Sequence, residues 1–214
     1  MEFRLVYDGR LPAASRSDTR NRDKDHIRRA FSSQLAELFN THPALKRWHE
    51  KDQTLEHLPD DASDRVRRFM KPGIAYSVVE LISHKHERRG QRYMPLITEA
   101  HAVACALDIL FLRRDQPGNL IVSGGDLDNR IKVLFDALRL PQNDDEVILA
   151  NDEPADAPVY VLMEDDRLII DVRVTSDRLL TPRNDGEHIN DVRLIVHVKT
   201  VILDATRWGA LLFG

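Results

Sequence analysis

Two aspartates, Asp126 and Asp128, flank a single leucine in the stretch "GGDLDNRIKVLFDAL" (124–138), and Lys132 follows four residues after the second. In an extended approach to a helix, residues i and i+2 point to one side, so these carboxylates are expected to converge. Converging carboxylates repel unless one is protonated or a cation lies between them. Small sets of carboxylates are common protein ligands of Mg²⁺, which keeps several of its waters for chemistry. Lys132, one turn into the helix, is placed to reach the same mouth. After Pro141, the loop "NDDEV" (143–147) offers a third acid. A third carboxylate from there would complete a site for one or two metals.

Each of these residues also has a purely structural reading. Asp128 sits where an N-cap belongs, and its charge suits the positive end of the helix dipole. Lys132 forms an i,i+4 pair with Asp128 or Asp136, worth ~0.3–0.5 kcal/mol, and Asp136 is read as such a pairing residue. The acidic loop reads equally as a solvated turn before a strand. A D-x-D alone is shared by metal-dependent glycosyltransferases, phosphatases and calcium loops. Against a nucleotide-sugar transferase, the first ~120 residues lack the glycine-rich strand-to-helix turn that would hold a nucleotide.

The helix that carries the motif is set by Ile131, Leu134, Phe135 and Leu138 at i, i+3, i+4 and i+7, and is predicted over 129–140. Val133 and Ala137 fall roughly opposite that stripe, at about 100° per residue, and need cover from the segment 41–100 or from a second subunit. Upstream, "FRLVY" alternates as a strand, and Ile27, Ala30, Phe31, Leu35 and Leu38 predict an amphipathic helix over 25–39. Residues 41–72 read as a short helix or two with loops. "IAYSVVELIS" (74–83) and "VACALDILFLRR" (103–114) read as strands, the second turning at "DQPGN" into a partner strand "LIVS". "VYVLM" and "RLIIDVRV" flank "EDD" as a further hairpin, and "DVRLIVHVKTVIL" (191–203) is the last strand. Strands with segregated helices predict an α+β fold, with a mixed, largely antiparallel sheet and helices on one side. The length fits a single domain over 1–214, with an elaborated segment at about 41–100.

Net charge is −4, which does not announce a nucleic-acid binder, yet the basic residues are clustered. Arg16, Arg20, Arg22, Lys24, Arg28 and Arg29 crowd one run, "DRVRRFMK" (64–71) forms another, and Arg88 and Arg89 lie in "HKHERRGQR" (84–92). Any one run reads as an ordinary solvated face. Three runs beside an acidic cluster point to a phosphate-binding surface. Cys105, the only cysteine, lies in an apolar run and reads as a buried, inert thiol, so no disulfide framework exists. No membrane span and no signal-peptide layout stand out, which places the protein in the cytoplasm.

At "DLDNRIKVLFDAL" the chain resembles the RusA-type endodeoxyribonucleases, the phage-derived Holliday junction resolvases. Their signature is Asp-x-Asp-Asn opening a helix, a Lys four residues after the second Asp, then Asp-Ala-Leu, and later an Asp-Asp-x-x-Val loop. The first part matches at Asp126, Asp128, Asn129, Lys132, Asp136, Ala137 and Leu138. Anchoring on Val147 puts Asp144 at the remaining acid, with Asn143 in place of the loop's first Asp and Asp145 as the alternative. The match is specific over about 126–147 and architectural elsewhere; the 41–100 segment has no counterpart, and the gap before the acidic loop is shorter than usual.

The resemblance implies a structure-selective DNA endonuclease of RusA-like fold that depends on Mg²⁺, or on Mn²⁺ in its place. It implies a homodimer acting on branched DNA, four-way junctions above all, in recombination and repair. Asp126, Asp128 and Asp144 would be the metal ligands and, with Lys132, the catalytic set. The rival is a non-catalytic module that keeps the fold and holds DNA or a protein partner.

Overall fold

The computed structural model describes residues 1–12, 17–58, 63–114, 126–149, 156–181 and 191–204, with backbone alone at 17–20, 57 and 126. It is an α+β fold. Strand β1 (Glu2–Arg10) pairs antiparallel with β8 (Asp191–Ile202), β8 pairs antiparallel with β5 (Val103–Arg113), and β5 pairs parallel with β7 (Ile169–Arg178). The sheet order is therefore β1-β8-β5-β7. Strict alternation sets its faces. Leu5 and Tyr7 of β1, Leu194, Val196 and Val198 of β8, and Leu107, Ile109 and Phe111 of β5 are buried and in register across one face. The opposite face carries charge, including Arg193 bonded to Asp8 at 2.6 Å.

The buried face is covered by α1 (Ser17–Thr41), which packs on β1, on α5 (Asp126–Leu138) and on β6 (Val159–Met163). Its stripe runs Ile27, Phe31, Leu35, Phe39, the spacing that buries one side of a helix. The predicted 25–39 helix is thus present and two turns longer at its start. Strand β6 pairs parallel with β4 (Tyr93–Ile97), and every residue of both is buried. Strands buried on both faces read as continuous apolar runs rather than alternating ones. The expected hairpin of "VYVLM" with "RLIIDVRV" is accordingly not formed: each strand pairs in parallel with an earlier one, and Asp166–Leu168 is a 3₁₀ turn between them.

The segment 41–100 holds α2 (Pro43–Lys46), a two-stranded pair of β2 (Lys51–Gln53) with β3 (Tyr76–Ser77), α3 (Asp64–Phe69) and α4 (Val78–Lys85). "IAYSVVELIS" is therefore mostly helix, not strand. Ser77 and Glu80 close a capping box, with Glu80 N–H donating to Ser77 Oγ at 3.1 Å and Ser77 N–H to Glu80 at 2.7 Å. Those two reciprocal bonds satisfy donors that a helix start leaves open, and outweigh the β propensity of the valines. The expected "LIVS" partner strand lies outside the described residues. Among the described residues, no helix is long and apolar enough to cross a membrane.

Candidate active site

Helix α5 begins at Asp126 itself, so the predicted start at 129 is corrected by three residues. Asp128 is the third helical residue, not the N-cap. Both Asp126 and Asp128 are helical in backbone, so the extended approach expected before the helix is not formed there. Asp128 is exposed and paired with Lys132, Nζ to Oδ2 2.8 Å, with both side chains about two-thirds open to solvent (69% and 63%). Asn129 is exposed beside them. The other side of α5 is deeply packed, and Ile131, Val133, Leu134, Ala137 and Leu138 all belong to the core. Val133 and Ala137 are thus covered within the chain, and α5 packs chiefly against α1.

Helices α1 and α5 lie side by side and run the same way. Arg130 donates to the Leu11 carbonyl just before α1, Lys24 meets Asp136, and Arg28 reaches the Asp136 and Arg139 carbonyls at 2.9 and 3.4 Å. Arg28 is 1% exposed. Its charge sits where the last carbonyls of α5 have no helical partner and the dipole is negative. Burial lowers its pKa from the ordinary arginine value, and Tyr93, Asp25 and Glu146 counter that shift.

Around it lies an ion cluster. Lys24 bridges Asp136 at 2.8 Å and Glu146 at 3.5 Å; Arg139 bridges Asp136 at 2.7 Å and Glu146 at 3.5 Å. Arg29 holds Asp25 at 2.6 Å and the Ile148 carbonyl at 2.7 Å. Burial raises the Asp136 carboxyl, but the Lys24 hydrogen bond and the Arg139 charge outweigh it and hold Asp136 below the usual carboxylate range. This cluster corrects the sequence reading of Lys24 and Arg28, which are interior and form no DNA-facing surface. Arg29 keeps 37% of its side chain open while it holds Asp25.

The cluster fixes the acidic loop. Asp144–Glu146 forms a 3₁₀ turn in which Glu146 is buried while Asp144 and Asp145 are exposed. Glu146 also accepts from Gln142 N–H at 3.3 Å. Asn21 donates to the Asp145 carbonyl at 3.0 Å, and Arg89 to the Val147 carbonyl at 3.4 Å. Asn21 lies nearer the start of α1 than Lys24, so the turn is drawn back along α1 toward the end where α5 begins. Sequence reasoning expected a return through the sheet. The pairing role read for Asp136 holds, with Lys24 and Arg139 as partners in place of Lys132, whereas Glu146, Arg139 and Asn21 were not singled out by the sequence.

Of the remaining basic candidates, Arg22, Arg88 and Arg89 are exposed. The Arg89–Gly90 pair turns a tight hairpin, both with positive φ (48° and 79°), closed by Arg88 and Gln91 exchanging backbone bonds at 2.9 Å. Arg16 lies outside the described residues, as does the side chain of Arg20. Among the described residues, no group of three or more His, Cys, Asp or Glu side chains is placed to hold a metal ion, the Asp126 side chain lying outside them. What the site offers is exposed carboxylate oxygen, a hard donor of the kind Mg²⁺ takes. Cys105 is buried and its thiol is pushed up to about 12 by burial, as an inert core cysteine should be. Comparison with protein-family models, curated proteins and solved structures finds no match.

Proposed function

We propose that the protein is a Mg²⁺-dependent, structure-selective DNA endonuclease that resolves four-way junctions as a homodimer. The observation that carries this reading is the first turn of α5, which holds Asp126 and Asp128, with Lys132 exposed one turn further in, 2.8 Å from Asp128. Asp126, Asp128 and Asp144 would hold the metal, which supplies an activated water and charge stabilisation on the phosphate oxygens. Lys132 offsets the charge that grows on the reacting phosphate. The ion cluster behind the acidic turn keeps Asp144 outward, because Glu146 is anchored inward. Arg22, Arg88 and Arg89 are exposed cations open to phosphates, among others on the surface. Cleavage of this kind leaves a 5′-phosphate and a 3′-hydroxyl.

A second reading is a module that holds branched DNA or a protein without cutting. The Asp128–Lys132 ion pair favours it, since that pair leaves both groups satisfied without a metal. Cleavage of synthetic four-way, three-way and linear DNA, with and without Mg²⁺, separates the two. The nuclease reading expects Mg²⁺-dependent cuts in the four-way substrate, abolished in Asp126→Asn with binding largely retained. Binding without cuts under all conditions supports the module instead.

A further inference from the structure

Strand β7 ends the four-stranded sheet, with β5 on one side and its other edge open among the described residues. Its exposure is unusual for its composition. Val172 and Val174 are in register with the buried Leu107 and Ile109 of β5 and so belong to the core face, yet Val172 is 41% exposed and its neighbour Ile170 is 53% exposed. Among the described residues β7 packs chiefly against β5, with Ile169 and Val174 still touching the core.

The sequence of the strand, "IIDVRVTSDR", is self-complementary about Val172. If a second copy pairs antiparallel with Val172 opposite itself, Asp171 falls opposite Arg173 twice, and Val174 falls toward Ile170, the residue at which the β5 register shifts. A two-fold axis normal to the sheet keeps each residue on its own face, so opposed residues must be an even number of positions apart. Neighbouring registers are penalised. Centring on Asp171 opposes two aspartates, centring on Arg173 opposes two arginines, and centring on Val174 opposes Asp171 to Asp177. Centring on Thr175 pairs Arg173 with Asp177 but sets Arg178 against Val172. Of the five registers centred on 171 to 175, only that on Val172 pairs opposite charges and gathers the apolar side chains.

We infer that a second copy of this chain adds to the β7 edge in that register, extending the sheet across a two-fold axis through Val172. This deepens the two-fold assembly in the proposed function and gives it a surface. Because its test reads association and not cleavage, failure here and failure of the nuclease reading are distinguishable. Opposite-charge cross-strand pairs stabilise and like charges directly opposed destabilise, so pair substitutions at these exposed positions report register without disturbing the core.

The experiment is sedimentation equilibrium at micromolar concentration on the full chain. Wild type is expected to be a dimer. Asp171→Arg is expected to weaken it by about tenfold or more, and the exchange Asp171→Arg with Arg173→Asp to return it to within about threefold of wild type. Val172→Cys is expected to cross-link to itself under mild oxidation, since opposed β carbons there are within disulfide reach, and Asp177→Cys is not. A monomeric wild type, a dimer indifferent to Asp171→Arg, or cross-linking at 177 in preference to 172 would each overturn the inference.

Discussion

Lys24 Nζ lies 2.8 Å from an Asp136 carboxylate oxygen, with only 6% and 15% of the two side chains exposed. The pair ties the first third of α1 to the last turn of α5. Removing Lys24 leaves Asp136 and Glu146 to share Arg139 in a nearly dry site, a cost set at ~3 kcal/mol, the low end for a broken buried pair. Lys24→Met is expected to lower the unfolding free energy by about that amount, and Lys24→Met with Asp136→Leu to recover much of the loss, as read by urea denaturation. The pair also fixes a sign with pH. Asp136 titrates lower folded than unfolded, so its contribution is full above the ordinary carboxylate range and fades as pH falls through its folded value. Asp136→Asn should flatten that part of the stability profile.

His101 adds an acid sensitivity in a different window. It is 7% exposed, edge-on to Trp48 at 5.4 Å, and burial, with the Lys85 charge, lowers its pKa from 6.5 to about 4. The unfolded chain takes up this proton first, so stability is full above 6.5 and is lost progressively as pH falls toward 4. Urea midpoints measured across that window should drop in wild type and drop less in His101→Gln.

Lys132 should separate function from stability. Its pair with Asp128 is largely exposed and worth ~0.3–0.5 kcal/mol, so Lys132→Met is expected to move Tm by no more than about 2 °C. Loss of its charge at the reacting phosphate is expected to cut the cleavage rate by about 10²-fold or more. Calorimetry and single-turnover cleavage on a four-way junction check the two halves independently.

The exposed and buried arginines should behave oppositely. Arg88→Glu with Arg89→Glu is expected to weaken junction binding and make the slope of log K against log salt shallower, because fewer counterions are released. Arg28→Ala is expected to lose fold stability instead, since it uncaps α5. An unchanged salt slope in the first variant assigns those arginines to ordinary surface.

Much of the fold was legible because the longer elements announce their period. The alternation in β1, β5 and β8 and the stripe of α5 each led to the right element type. The failures have physical causes, and several left signals in the chain. Ser77 and Glu80 have capping-box spacing, which outranks the valines that follow. "VYVLM" lacks alternation, the mark of a strand buried on both faces. Lys24 and Arg28 continue the core stripe of Phe31 and Leu35 at helical spacing, so their phase pointed inward while their charge pointed to solvent. For Glu146 no local signal existed. It is one acid among three in a row, and its partner Lys24 is 122 residues away, so only the folded chain selects which acid turns inward.

The pairing of β1 with β8 has a consequence for how the protein is made. The first residues meet nearly the last described ones, with the Met1 amino group donating to Thr200 Oγ1 at 3.0 Å. Because β8 lies between β1 and β5, a nascent chain holds β1 apart from the β5–β7 pair, each with an edge that waits for residues 191–202. Closure of so long a loop is slow, and unpaired edges are prone to aggregate while they wait. Synthesis stalled before β8 is therefore expected to yield chaperone-bound, protease-sensitive chains, and release past it a cooperative collapse of the whole sheet.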